Sequence, residues 1–181
     1  MSSSHKKVIV RRFTGDVLSG YLPVSGFVRH RSLDLLDLSG RVIPLVLNDI
    51  KLVSYVRDFN LSDSVNPERL TRRTFLARPR TEGLWLRLTF RSTGDILEGL
   101  APLDIALADD LVNDAGLFLT PPDTRSNTQR IYVPRTSIDE LHLLAVVTSP
   151  SRRKPETPPT EKSTLQQDLF NATLPPNTRP N

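Results

Sequence analysis

Cysteine is absent from the chain, and methionine and tryptophan occur once each. Without cysteine there is no disulfide framework and no thiolate metal site, so packing alone must hold any small domain together. The three histidines, His5, His30 and His142, have no partner at i, i+4 and no zinc-type spacing. No apolar run approaches the roughly 20 residues that span a bilayer, and Met1 to Lys7 lacks the apolar stretch of a secretory signal. A cytoplasmic location without membrane contact is therefore expected. A Gly-x-Ser-x-Gly elbow, a Walker loop and a dinucleotide fingerprint are missing too. These absences argue against an enzyme and give no reason to expect a cofactor or a metal.

What the chain does contain is a repeat. Arg12-Phe13-Thr14-Gly15-Asp16-Val17-Leu18-Ser19-Gly20 returns as Arg91-Ser92-Thr93-Gly94-Asp95-Ile96-Leu97-Glu98-Gly99, and Arg41 to Val53 aligns in the same way with Arg130 to Leu141. The turns are 93 − 14 = 79 positions apart and Ile50 and Ile138 are 138 − 50 = 88 apart, so the second copy carries nine extra residues. The loop-like stretch Thr120 to Asn127 has no counterpart in the first copy and is the expected place for them.

Leu84-Trp85-Leu86-Arg87-Leu88-Thr89-Phe90 alternates as a half-buried strand, and the Thr-Gly-Asp turn sends it into a second strand. Five short strands are expected per copy, with a single helical turn at Asn48-Asp49 and at Thr136-Ser137, where Ser137 and Glu140 fit a capping box. Closing such a sheet removes its exposed edges. The expected fold is all-β: one barrel over 6–58, an arginine-rich connector over 59–83, a second barrel over 84–148 and a disordered tail over 149–181. Residues 1 to 58 hold nine Lys or Arg against five Asp or Glu, and residues 84 to 147 hold five against nine. The fields are complementary and favour the copies packing on each other or pairing head to tail between chains.

The order of apolar strand, turn glycine, second strand with an internal glycine and polar turn before the last strand resembles the small SH3-like barrels, including the Sm-like group. That resemblance implies two tandem five-stranded barrels. Sm-like proteins bind RNA through an Asp and Asn after the second strand and an Arg-Gly before the last. Gly20 to Ser25 and Leu47 to Ile50 carry neither. Val53 to Phe59, Gly83 to Leu88, Leu119 to Asp123 and Arg130 to Arg135 resemble an uncharacterised bacterial family of paired small β domains, which implies this architecture and no assigned activity.

The candidate binding residues lie outside the matched segments. Arg69, Arg72, Arg73, Arg78 and Arg80, with Phe75 among them, could lie along the phosphates of a nucleic acid or cover the acidic second copy. Arg29-His30-Arg31 with Asp37-Leu38-Ser39-Gly40 loosely resembles the elements by which PilZ-type barrels hold a cyclic dinucleotide. Asp104, Asp109, Asp110 and Asp114 read as a solvated acidic loop without the ligand alternation of an EF-hand. In the proline-rich tail, Gln166, Asp168, Leu169 and Phe170 resemble the peptide by which bacterial replication and repair proteins hold the sliding clamp. Such an apolar island docks in a partner's groove or folds back on a barrel. The leading expectation is a non-enzymatic binding or adaptor module that docks a protein partner through this tail, and the alternative is nucleic-acid or cyclic-nucleotide binding through the basic segments.

Overall fold

Each half begins with the hairpin that its Thr-Gly-Asp turn specifies. In the first, β1 (His5–Arg12) pairs antiparallel with β2 (Val17–Pro23), setting Val8 opposite Gly20 and Val10 opposite Leu18. In the second, β7 (Gly83–Phe90) pairs with β8 (Ile96–Ala101), setting Leu86 opposite Gly99 and Leu88 opposite Leu97. The paired glycines serve close approach. A Cβ on Gly20 would lie 2.5 Å from the Leu36 carbonyl oxygen, and one on Gly99 would lie 2.7 Å from the Leu119 Cβ. The computed structural model describes residues 5–59, 72–123 and 125–148, all within one compact unit.

The first half continues through β3 (Val28–Arg29), β4 (Ser32–Asp37), β5 (Val42–Val46), a 3-10 turn at Leu47–Asp49 and β6 (Ile50–Val56). The second continues through α1 (Ala106–Asn113), β9 (Gly116–Leu119), β10 (Thr128–Pro134), a 3-10 turn at Arg135–Ser137 and β11 (Ile138–Val147). Corresponding residues meet in both halves. Tyr21 lies opposite Leu36 as Leu100 lies opposite Thr120, and Leu33 opposite Leu45 as Leu117 opposite Val133. Val8 and Val10 face Tyr55 and Val53 as Leu86 and Leu88 face Leu143 and Leu141.

These registers divide the nine-residue excess. The offset is 99 − 20 = 79 on the second strand, 117 − 33 = 84 on the next and 133 − 45 = 88 after it. Five extra residues therefore lie in the α1 segment and four in the loop before β10, so Thr120 to Asn127 holds only part of the insertion, and Arg130 corresponds to Val42 rather than to Arg41.

The expectation of two self-contained five-stranded barrels is corrected. Among the described residues the fold is mostly β, but its sheets are not closed into barrels. One sheet of eight strands runs β3-β4-β2-β1-β6-β10-β9 with β5 on β4, and a sheet of three runs β11-β7-β8. Closure would bring β6 to β5. Instead β6 pairs with β10, placing Val53 opposite Tyr132 and Tyr55 opposite Arg130. A strand from the other half satisfies the edge that closure was expected to satisfy.

The β9–β10 hairpin consequently serves two cores. Its strand alternation sends Leu117, Leu119, Ile131 and Val133 into the second-half core, while Phe118 and Tyr132 enter the first-half core with Val53, Tyr55 and Phe27. Phe27 meets Phe118 edge to face at 6.0 Å and Tyr132 at 5.0 Å.

Two local expectations also change. Ser137 does not cap a turn: the N-cap position is Pro134, and the buried Ser137 hydroxyl donates to the Ile50 carbonyl. The acidic stretch is helical rather than a loop, with the Ala106 N–H donating to Asp104 at its start. No helix among the described residues is long and apolar enough to cross a membrane.

Candidate functional site

The repeat makes two edges comparable residue by residue, and they differ in what covers them. Val53 and Tyr55 on β6 are 0 % and 5 % exposed beneath Phe118 and Tyr132. Their counterparts on β11, Leu141 and Leu143, are 51 % and 56 % exposed. Both leucines share a face with Leu88 and Leu86, which belong to the second-half core. They border a groove of about 460 Å³ whose walls include Leu107, Leu111 and Leu117, with Arg135 and Asp139 at its polar side. Among the described residues, β11 pairs with β7 alone. Its other edge offers backbone N–H and C=O groups beside an apolar groove, the combination by which a sheet accepts an added strand.

The acidic residues of the second half have structural partners. Asp114, buried at the end of α1, accepts backbone N–H groups from Gly26 at 3.0 Å, Phe27 at 3.1 Å and Val28 at 3.4 Å. Asp110 faces Arg130 at 3.4 Å, yet burial and the neighbouring acids, Asp114 first among them, keep its pKa above the ordinary aspartate value. Among the described residues no group of three or more His, Asp or Glu could hold a metal.

The connector is tied to the second half through Glu98. Its carboxylate accepts the Phe75 N–H at 3.0 Å and the Trp85 indole N–H at 3.2 Å, and Arg87 approaches to 2.7 Å. Phe75 packs edge to face on Trp85 at 5.7 Å, which occupies the ring expected to stack on a base. Arg72, Arg73, Arg78 and Arg80 are exposed. Arg73 reaches Asp95 at 3.5 Å, and Arg72 and Arg73 border a cleft of about 70 Å³ with Lys51 and Thr128. Arg69 lies outside the described residues, as do Gln166, Asp168, Leu169 and Phe170.

Burial alone would raise the Glu98 carboxyl, but the Phe75 N–H, Arg87 and the Trp85 indole hold it below the ordinary glutamate value. A carboxyl lowered in the fold stabilises the native state above its unfolded pKa. That contribution disappears as pH falls through the folded pKa. Glu98→Gln should therefore cost about 2 kcal/mol at neutral pH, with the gap to the parent protein narrowing below pH of about 4. Urea denaturation across pH measures this, and a gap independent of pH would refute it.

The two elements resembling a cyclic-dinucleotide site are not brought together. Arg29 to Arg31 form the β3–β4 turn, with His30 and Arg31 at φ of 49° and 64°. Asp37 to Gly40 form the turn at the opposite end of β4, about 20 Å along the strand. There Asp37 is committed to its own turn, accepting the N–H groups of Ser39 and Arg41 at 2.8 and 2.7 Å.

The uncovered β11 edge is a feature that sequence reasoning missed. Its signal is present in the alignment, since Leu141 and Leu143 occupy the places of Val53 and Tyr55, but exposure depends on where a distant hairpin lands. The model of a family of unknown function (DUF6982) matches residues 4–145. No curated protein and no solved structure matches the chain.

Proposed function

Because the chain belongs to this family of unknown function, its role has to be read from its own surfaces, and we propose that it is a non-enzymatic binding module whose β11 edge docks an extended segment of another protein chain. The observation that carries this is the contrast between the covered Val53–Tyr55 pair and the uncovered Leu141–Leu143 pair. Inside the chain, the equivalent edge binds an antiparallel strand through a backbone ladder, with large side chains from the added hairpin entering the apolar space beside it. The same chemistry at β11 selects a ligand that is extended and apolar at alternate positions. In this reading each half is an opened SH3-like barrel whose last strand serves as the docking edge, and the strand order β5-β4-β2-β1-β6 supports it.

Selection of short random peptides on the full-length protein should enrich sequences with apolar residues at every second position. Leu143→Lys, at a solvent-exposed site, should weaken the best of them at least about tenfold. Failure to enrich such sequences, or affinity indifferent to Leu143→Lys, would remove the proposal.

A further inference from the structure

Among the described residues, two strands have an unpaired edge where their repeat counterparts meet each other. β6 corresponds to β11 and β10 to β5, and within the chain β6 and β10 form the ladder that joins the halves. Among the described residues, β11 and β5 have no partner on their outer edges. We infer that the chain self-associates head to tail, with β5 of one copy pairing antiparallel to β11 of the next in the register of the internal junction. The inference rests on the docking role proposed for β11 and names the strand that docks there.

The internal register transfers directly. Tyr132 opposite Val53 becomes Pro44 opposite Leu141, and Arg130 opposite Tyr55 becomes Val42 opposite Leu143. The Asp37 N–H donates to the Arg41 carbonyl and the Leu47 N–H to the Arg31 carbonyl, so the odd-numbered backbone groups of β5 turn toward β4. Those of Val42, Pro44 and Val46 face outward. Val42 and Val46 are 62 % and 52 % exposed, so an apolar stripe meets the apolar groove.

The residues that changed between the copies changed together. Phe118, which enters the first-half core, corresponds to Asp34 by the offset 118 − 34 = 84, and Leu47 of that core corresponds to Arg135 by 135 − 47 = 88. Where the internal junction places a phenylalanine in a core containing a leucine, the junction between chains brings an exposed aspartate to the groove that Arg135 borders. The opposite net charges of the two halves act in the same direction.

The junction between chains is weaker than the internal one. It lacks both aromatic rings, and Pro44 cannot donate to the ladder. A dissociation constant of about 1 to 100 μM is expected. Because β5 and β11 are different surfaces, the contact is heterologous and propagates into a ring or an open chain.

Sedimentation of the full-length protein tests this. The mass should grow with concentration, Asp34→Arg or Arg135→Asp should each weaken association at least about tenfold, and the double variant should recover most of it. Both residues are exposed, and circular dichroism checks that each variant folds. A monomer at all concentrations up to about 300 μM would overturn the inference. Association insensitive to Asp34→Arg would overturn it too, since β5 would then lie outside the contact. In either case the peptide selection above still decides the docking role of β11 separately.

Discussion

Asp114→Ala is expected to lower the unfolding free energy by about 4 kcal/mol and the melting temperature by about 10 °C for a domain of this size. Asp114 is 1 % exposed, and its carboxylate accepts three consecutive N–H groups from the segment leading into β3. Removing it strands three donors in or near the interior, where each unpaired group costs about 1 to 3 kcal/mol. The middle donor belongs to Phe27, which packs on Phe118 and Tyr132, so lost hydrogen bonding becomes loosened aromatic packing. Asp114→Asn should cost about 2 kcal/mol, half as much, because one oxygen still accepts while an amide group now faces a donor. Thermal unfolding of the two variants checks both the magnitude and the order. Alanine costing less than about 1 kcal/mol would mean that water satisfies these groups.

Phe118→Ala should destabilise by a similar amount, about 4 kcal/mol, and it should do so for the whole described unit at once. The side chain is 1 % exposed and meets Phe27, Tyr55 and Tyr132, while its strand neighbours Leu117 and Leu119 lie in the other core. The loss occurs in the first-half core on a strand that the second half supplies. The single tryptophan, Trp85, sits on β7 and reports the second half. Its fluorescence and the far-ultraviolet circular dichroism should therefore shift to the same lower midpoint. Two separated transitions would show that the halves unfold independently and that the β9–β10 hairpin does not couple them.

The local parts of this architecture were legible because they depend on local chemistry. Gly15 and Gly94 mark the hairpin turns at φ of 94° and 63°, and the alternation of Leu84 to Phe90 fixes a strand face. The junction was not legible, because Val53 and Leu141 carry the same kind of side chain in the same pattern and differ only in whether a hairpin remote in sequence reaches them. α1 was hidden by its charge. Asp104, Asp109 and Asp110 suggested solvent, yet Leu107 and Leu111 have the i, i+4 spacing of one helical face. Ser137 shows a local motif losing to a distant partner, since its hydroxyl is taken by Ile50 of the other half. The candidate docking edge was invisible for the same reason as the junction: exposure is a property of the assembled sheet.

The ladder between β6 and β10 also has a history in time. It joins Val53 to Tyr132, 132 − 53 = 79 residues further along. At roughly 5 to 20 residues per second of synthesis, β6 leaves the ribosome about 4 to 16 s before the strand that covers it. For that interval the β10 partner of Val53 and Tyr55 has not yet been made in the same chain. A β9–β10 hairpin from a neighbouring nascent copy would satisfy the same ladder, so the order of translation creates an opportunity for hairpin-swapped dimers.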